Sequence, residues 1–141
     1  MIAINNTTKQ KINLTQTRKI VEQFLRVYKK TNWEISIALI GDQKMKRLNQ
    51  LYRQVNKTTD VLSFRGGEFM NKYLGEVIIN VNYLKRPAQY QTIFSKKPSF
   101  NYLFYFILIH GLLHLIGYDD STEQDRQKMI IRGQKFLAKY Y

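Results

Sequence analysis

Three observations predict an α+β fold: a small mixed β-sheet packed with helices. Two stretches alternate apolar and polar side chains at the two-residue period of a half-buried strand, while others repeat apolar residues at helical spacing. These elements do not follow the regular strand–helix–strand rhythm that builds a doubly wound sheet. A run from Ser99 to Ile116 is apolar on almost every side, as suits a central helix enclosed by its neighbours. The chain has 141 residues, 44% of them apolar, enough for one core, so residues 1–141 read as a single domain.

The elements follow in order. Residues 14–31 set Ile20, Val21, Phe24, Leu25 and Tyr28 on one helical face, with Arg18, Lys19 and Arg26 around the rest of the cylinder. Ile35, Ile37 and Leu39 then alternate with Glu34, Ser36 and Ala38, as in a strand. Asp42 is placed to cap the next helix. That helix is expected to turn Met45, Leu48, Tyr52 and Val55 inward and to carry Asn49 and Arg53 together on a neighbouring face. Its Lys44, Lys46, Arg47, Arg53 and Lys57 have no acidic counterweight, which makes a strip suited to phosphates.

Strands follow at Asp60 to Phe64 and Leu74 to Val81, joined by a loop containing Gly66-Gly67 that could border a cleft. The second sets Val77, Ile79 and Val81 on one face and Glu76, Ile78 and Asn80 on the other. Arg86-Pro87 and Lys96-Lys97-Pro98 interrupt residues 82–98, to which no regular element is assigned. The long apolar helix comes next, and Gly117 stops it. Ser121 with Gln124 then resembles a capping box, opening a last helix to about Lys139 with Met129, Ile130, Gly133, Phe136 and Leu137 inward. No repeat or low-complexity segment intervenes.

The apolar helix carries the chemistry. His110 and His114 stand four residues apart, which puts both imidazoles on one helical face, about 5–6 Å apart at Cβ. The chain can turn at Gly117 and bring a third ligand from Asp119 or Asp120. Burying two unpaired imidazoles in so apolar a stretch would cost about 1–3 kcal/mol each, and a metal ion removes that cost. Three protein ligands leave a position open, as in catalytic zinc sites rather than closed structural ones. A zincin peptidase has its general-base glutamate directly after the first histidine, but here that residue is Gly111. Without that base, a substrate needing charge stabilisation is favoured, and phosphodiesters fit.

The 23 Lys and Arg against 10 Asp and Glu give a net charge of +13. So basic a chain seeks an anionic partner, with nucleic acid the first candidate and an anionic membrane the second. No cysteine is present, so disulfides and thiolate metal sites are excluded, in keeping with a reducing cytoplasm. The N-terminus, Met1-Ile-Ala-Ile-Asn-Asn, lacks the basic and apolar regions of a secretory signal. Tyr102 to Tyr118 approaches the length of a short membrane span, but its two histidines and a glycine fit a buried enzyme helix better. No membrane association is expected.

Two segments together resemble the YbeY-type endoribonucleases of ribosomal RNA maturation. His110 to Asp119 matches the hallmark H-G-x-L-H-L-x-G-Y-D-H, and Thr59-Asp60-Val61-Leu62-Ser63-Phe64 matches T-D-V-L-S-F. Leu48-Asn49-Gln50-Leu51-Tyr52-Arg53 fits an upstream L-N-x-x-Y-R helix, and Leu74-Gly75-Glu76 fits a following L-G-[DE] strand, so the resemblance runs over residues 34–137. It implies a zinc-dependent hydrolase of single-stranded RNA in the cytoplasm, acting in ribosomal RNA processing and ribosome quality control. A ribosome or ribosomal protein is the implied partner. His110 and His114 would hold the metal, and Arg53 would steady the developing phosphorane charge. Asn49, Asp60 and Ser63 would line the RNA groove beside Lys44, Lys46 and Lys57.

The chain departs from that pattern in three places. Asp120 stands where the family has its third histidine ligand, Arg65 where a proline follows S-F, and Glu76 where L-G-D is common. Asp120 is therefore expected to be the third ligand, with Asp119 orienting a histidine or replacing Asp120 as ligand. A carboxylate there lowers the site's positive charge and suits harder ions, so manganese joins zinc as a candidate. Two other functions fit parts of the pattern: a zinc metallopeptidase drawing its base from Glu76, and a non-catalytic RNA- or ribosome-binding module.

Overall fold

Residues 1–67 and 71–141 are described by the computed structural model. Their strands are β1 (Ile2–Asn6), β2 (Glu34–Ile40), β3 (Val61–Arg65) and β4 (Tyr73–Asn80). The helices are α1 (Leu14–Val27), α2 (Asp42–Arg53), α3 (Phe100–Leu115) and α4 (Glu123–Tyr140). Short 3-10 turns at Tyr83–Lys85 and Pro87–Tyr90 occupy the stretch that the prolines interrupt. No described helix is long and apolar enough to cross a membrane.

The sheet has the order β1-β2-β4-β3, with β1, β2 and β4 parallel and β3 antiparallel to β4. It is the mixed sheet of an α+β fold, as the patterning predicts. β1 is an addition: a five-residue edge strand that pairs Ile2 with Ile35 and Ile4 with Ile37.

Alternation along the strands divides the core in two. Ile35, Ile37, Leu39, Val77 and Ile79 meet Phe24 of α1, Phe104, Leu108 and Leu112 of α3, and Phe136 of α4. On the other face Ile40, Leu62 and Ile78 meet Met45 of α2. Each large apolar side chain so enclosed contributes about 1.5–3 kcal/mol. α3 is thus a central buried helix, sealed by the sheet on one side and α4 on the other.

Several helix ends differ from the sequence expectation, each for a local reason. α1 is capped by Asn13, whose side chain accepts from Gln16 N at 2.9 Å, and it ends at Val27 because Lys29 turns to φ 57°. α2 starts at Asp42, but Asp42 does not cap it; its carboxylate takes the Asn80 amide at 2.8 Å and pairs with Arg86. Gln54, at φ 54°, ends α2 before Val55, and Tyr52 is 58% exposed rather than core. Thr122 caps α4 in place of Ser121, accepting from Asp125 N at 3.0 Å.

Candidate metal centre

α3 comes tight against the sheet at Gly111, between the two histidines. A Cβ on Gly111 would lie 2.7 Å from Val77 Cγ1 and 3.2 Å from Ser63 Oγ, so no larger residue fits there without displacing the helix. Ser63 Oγ donates to the Gly111 carbonyl at 3.1 Å and fixes that approach. The residue after His110 is therefore a packing glycine, and a zincin glutamate has no room at this position.

The turn after α3 completes the cluster. Gly117 adopts φ 111°, a conformation that side chains resist. The chain doubles back so that the Tyr118 carbonyl lies 3.0 Å from His114 Nδ1. A carbonyl can only accept, so Nδ1 carries the proton and Nε2 keeps its lone pair. Asp119 accepts from Asp120 N and Ser121 Oγ, each at 2.8 Å, which tightens the turn. The Ser121 hydrogen bond, first among its contacts, holds the Asp119 carboxyl below its ordinary pKa. Asp120 is thereby aimed back at α3: its Oδ2 lies 3.3 Å from His110 Nε2 and 3.4 Å from His114 Nε2.

One ligand atom from each of His110, His114 and Asp120 lies within 4.8 Å of the other two. Ligands about 2.1 Å from a tetrahedral ion stand about 3.4 Å apart, so the two histidine–carboxylate spacings fit such an ion. Burial, and next the neighbouring His114, lower the His110 pKa and keep its imidazole neutral, the form that binds metal. The donor set of two imidazoles and one carboxylate suits zinc, and also manganese.

The cluster opens into a cleft of about 700 Å³. Arg53 from the end of α2, Arg65 from β3 and Arg126 from α4 supply its cations. Arg65 Nε donates to the His114 carbonyl at 3.1 Å, tying β3 to the histidine turn. Asp60 and Ser63 line the same wall, and buried Tyr90 donates to Asp60 Oδ2 at 2.8 Å. Burial, with the Asp60 charge behind it, raises the Tyr90 pKa far above the ordinary phenol value.

Comparison with known proteins follows the same segments. The family model for Endoribonuclease YbeY matches residues 3–141. The chain belongs to the endoribonuclease YbeY family. An endoribonuclease YbeY of Nitratiruptor is 37% identical over 110 residues, covering 78% of this chain and 72% of that one. The endoribonuclease YbeY of Syntrophotalea carbinolica is 33% identical over 99% of this chain and 95% of its own. A Thermotoga maritima protein solved in solution shares the fold, with a TM-score of 0.63 at 24% identity, over 97% of this chain and 87% of that one.

In this YbeY family member the residues singled out in the sequence are not all gathered. His110, His114, Asp120, Asp119, Arg53, Asp60 and Ser63 line one cleft. Asn49 does not: it is 2% exposed, its amide donates to the Lys57 carbonyl at 2.8 Å, and its Oδ1 meets no partner among the described residues. It anchors the end of α2, and the groove contact expected of it is blocked by burial. Lys46 lines a separate shallow depression on α2 with Arg47 and Leu51, while Lys44 and Lys57 are exposed and outside the cleft lining. Glu76, the base a metallopeptidase would need, neighbours Val77 on β4 and so projects to the sheet face away from α3. Sequence reasoning passed over Arg126, Tyr83 and Tyr90, which reach the cleft from distant elements without any spacing signal.

Proposed function

We propose that this chain is a metal-dependent endoribonuclease that hydrolyses single-stranded RNA in ribosomal RNA maturation and ribosome quality control. Its setting in this reading is the cytoplasm, and a ribosome or ribosomal protein presents the substrate. The observation that carries the proposal is the convergence of His110 Nε2, His114 Nε2 and Asp120 Oδ2 in a cleft walled by arginines. A divalent ion held by this set, zinc or else manganese, would supply Lewis acidity toward a phosphodiester oxygen and would polarise water. Family membership supports RNA as the substrate class.

The chain's own residues do the rest. His114, oriented by the Tyr118 carbonyl, and neutral His110 present fixed lone pairs. Arg53 offers the cleft a planar fork that matches two phosphate oxygens and favours the extra charge of the transition state. Asp60 and Ser63 are held in the cleft lining by their bonds to Tyr90 and the Gly111 carbonyl. Lys44, Lys46 and Lys57, outside the cleft lining, would contact phosphates farther along the strand and release their counterions.

The test is reconstitution. Protein stripped of metal is assayed on labelled single-stranded RNA before and after one equivalent of zinc or manganese, with bound metal measured in parallel. Cleavage that returns with the ion and stops with chelator is the expected result. Cleavage indifferent to chelator, or absent at full occupancy, overturns the proposal.

A further inference from the structure

We infer that the groove along α4 is a second binding segment for single-stranded RNA, taking the strand as it leaves the metal cleft. The inference rests on the reading above, because a nuclease that cuts internal bonds must let its substrate run out of the cleft on both sides. Groove and cleft adjoin, since Tyr118 and Asp119 line both. The groove measures about 690 Å³ and lies between α4, the end of α1 and the turn after α3.

Its chemistry is that of a single-strand path. Lys128, Arg132, Lys135 and Lys139 line it from exposed positions at spacings of four, three and four residues, so they form one stripe down α4. At about 1.5 Å per residue the stripe runs about 16 Å, long enough to follow several nucleotides of backbone. The Arg132 guanidinium covers the Tyr118 ring at 4.7 Å, and Tyr118 meets Tyr28 edge-on at 6.4 Å. Val27 and Ile131, 44% and 48% exposed, add apolar surface on the same groove. The Val27 and Ile131 patch and the Arg132 guanidinium stacked on Tyr118 offer bases apolar and planar surface while the lysines follow phosphates, and this combination binds single strands without reading sequence. Asp119 and Asp125 also line the groove, but its four cations, Lys128, Arg132, Lys135 and Lys139, outnumber these two carboxylates and leave it net positive.

The experiment uses metal-loaded protein and fluorescein-labelled RNA strands of about 4 and about 16 nucleotides, with binding read by stopped-flow anisotropy before turnover. The parent should bind the longer strand more tightly. In the double variant Lys135→Gln/Lys139→Gln that length advantage should fall by about tenfold, and the slope of log affinity against log salt should drop by about 1.4, two single-strand phosphate contacts. Arg132→Gln should erode the same advantage by itself. A double variant with the parent's length advantage and salt slope overturns the groove assignment, even if both proteins cut RNA. A parent that binds through the groove but cuts neither strand leaves the groove standing and overturns the hydrolase reading instead.

Discussion

α3 and α2 lie against opposite faces of one sheet, and their difference divides the labour of the site. α3 is buried without a break from Leu103 to Ile109 and again from Gly111 to Leu113. α2 buries only Met45 and Asn49 and leaves Arg53 exposed at its end. Ligands for an ion must be held within tenths of an ångström, which demands a helix that cannot move; a group that receives a long flexible anion needs access to water. The enclosed helix carries the histidines, and the half-exposed one carries the arginine.

The comparison breaks most visibly by truncation. Leu108 is fully enclosed, so Leu108→Ala should cost about 2–5 kcal/mol in urea unfolding. A cost below about 1 kcal/mol would mean that α3 is not the rigid member of the pair. Arg53→Ala should act on chemistry instead. Single-turnover cleavage should fall by about a hundredfold while RNA affinity changes only severalfold, as expected for a contact that strengthens in the transition state. Equal losses in both would reduce Arg53 to one more groove charge.

Gly111→Ala should cost about 1–3 kcal/mol, since the added methyl pushes α3 off Val77 and Ser63. Thermal unfolding measures that cost, and metal affinity should fall with it because the helix moves with its ligands. The smallest effect belongs to the outer face of α2, where Leu51 is 67% exposed. Leu51→Ala should stay within about 0.5 kcal/mol of the parent by urea unfolding. A larger loss would show that something covers that face in solution.

Much of this arrangement is written locally and can be read from sequence. The histidine pair is a four-residue spacing on a helix whose apolar run is unmistakable, and the 3.6-residue period of α1 and the alternation of β2 and β4 are equally local. What escapes depends on partners far along the chain. β1 shows only two isoleucines in alternation, and it is a strand because β2, about thirty residues on, pairs with it. Asp42 has a good N-cap side chain, but Asn80 and Arg86 claim its oxygens. Asn49 shares a spacing with Arg53, which cannot say which side of α2 meets the protein; the Lys57 carbonyl decides it. Arg126 and Tyr90 enter the cleft from elements that only the tertiary fold brings near.

The choice between Asp119 and Asp120 is the same problem at its smallest scale, since spacing alone allows either and the turn at Gly117 separates them. One measurement tests this central assignment most directly: zinc and manganese titrations of the parent, Asp120→Ala, Asp120→His and Asp119→Ala against a competing chelator. Asp120→Ala should lose more than about a hundredfold in affinity, beyond the 10–100-fold typical of a group behind the ligands, and Asp119→Ala should stay within that range. Asp120→His should keep or strengthen zinc binding. An Asp120→Ala protein that holds metal like the parent, beside an Asp119→Ala protein that does not, would contradict the account.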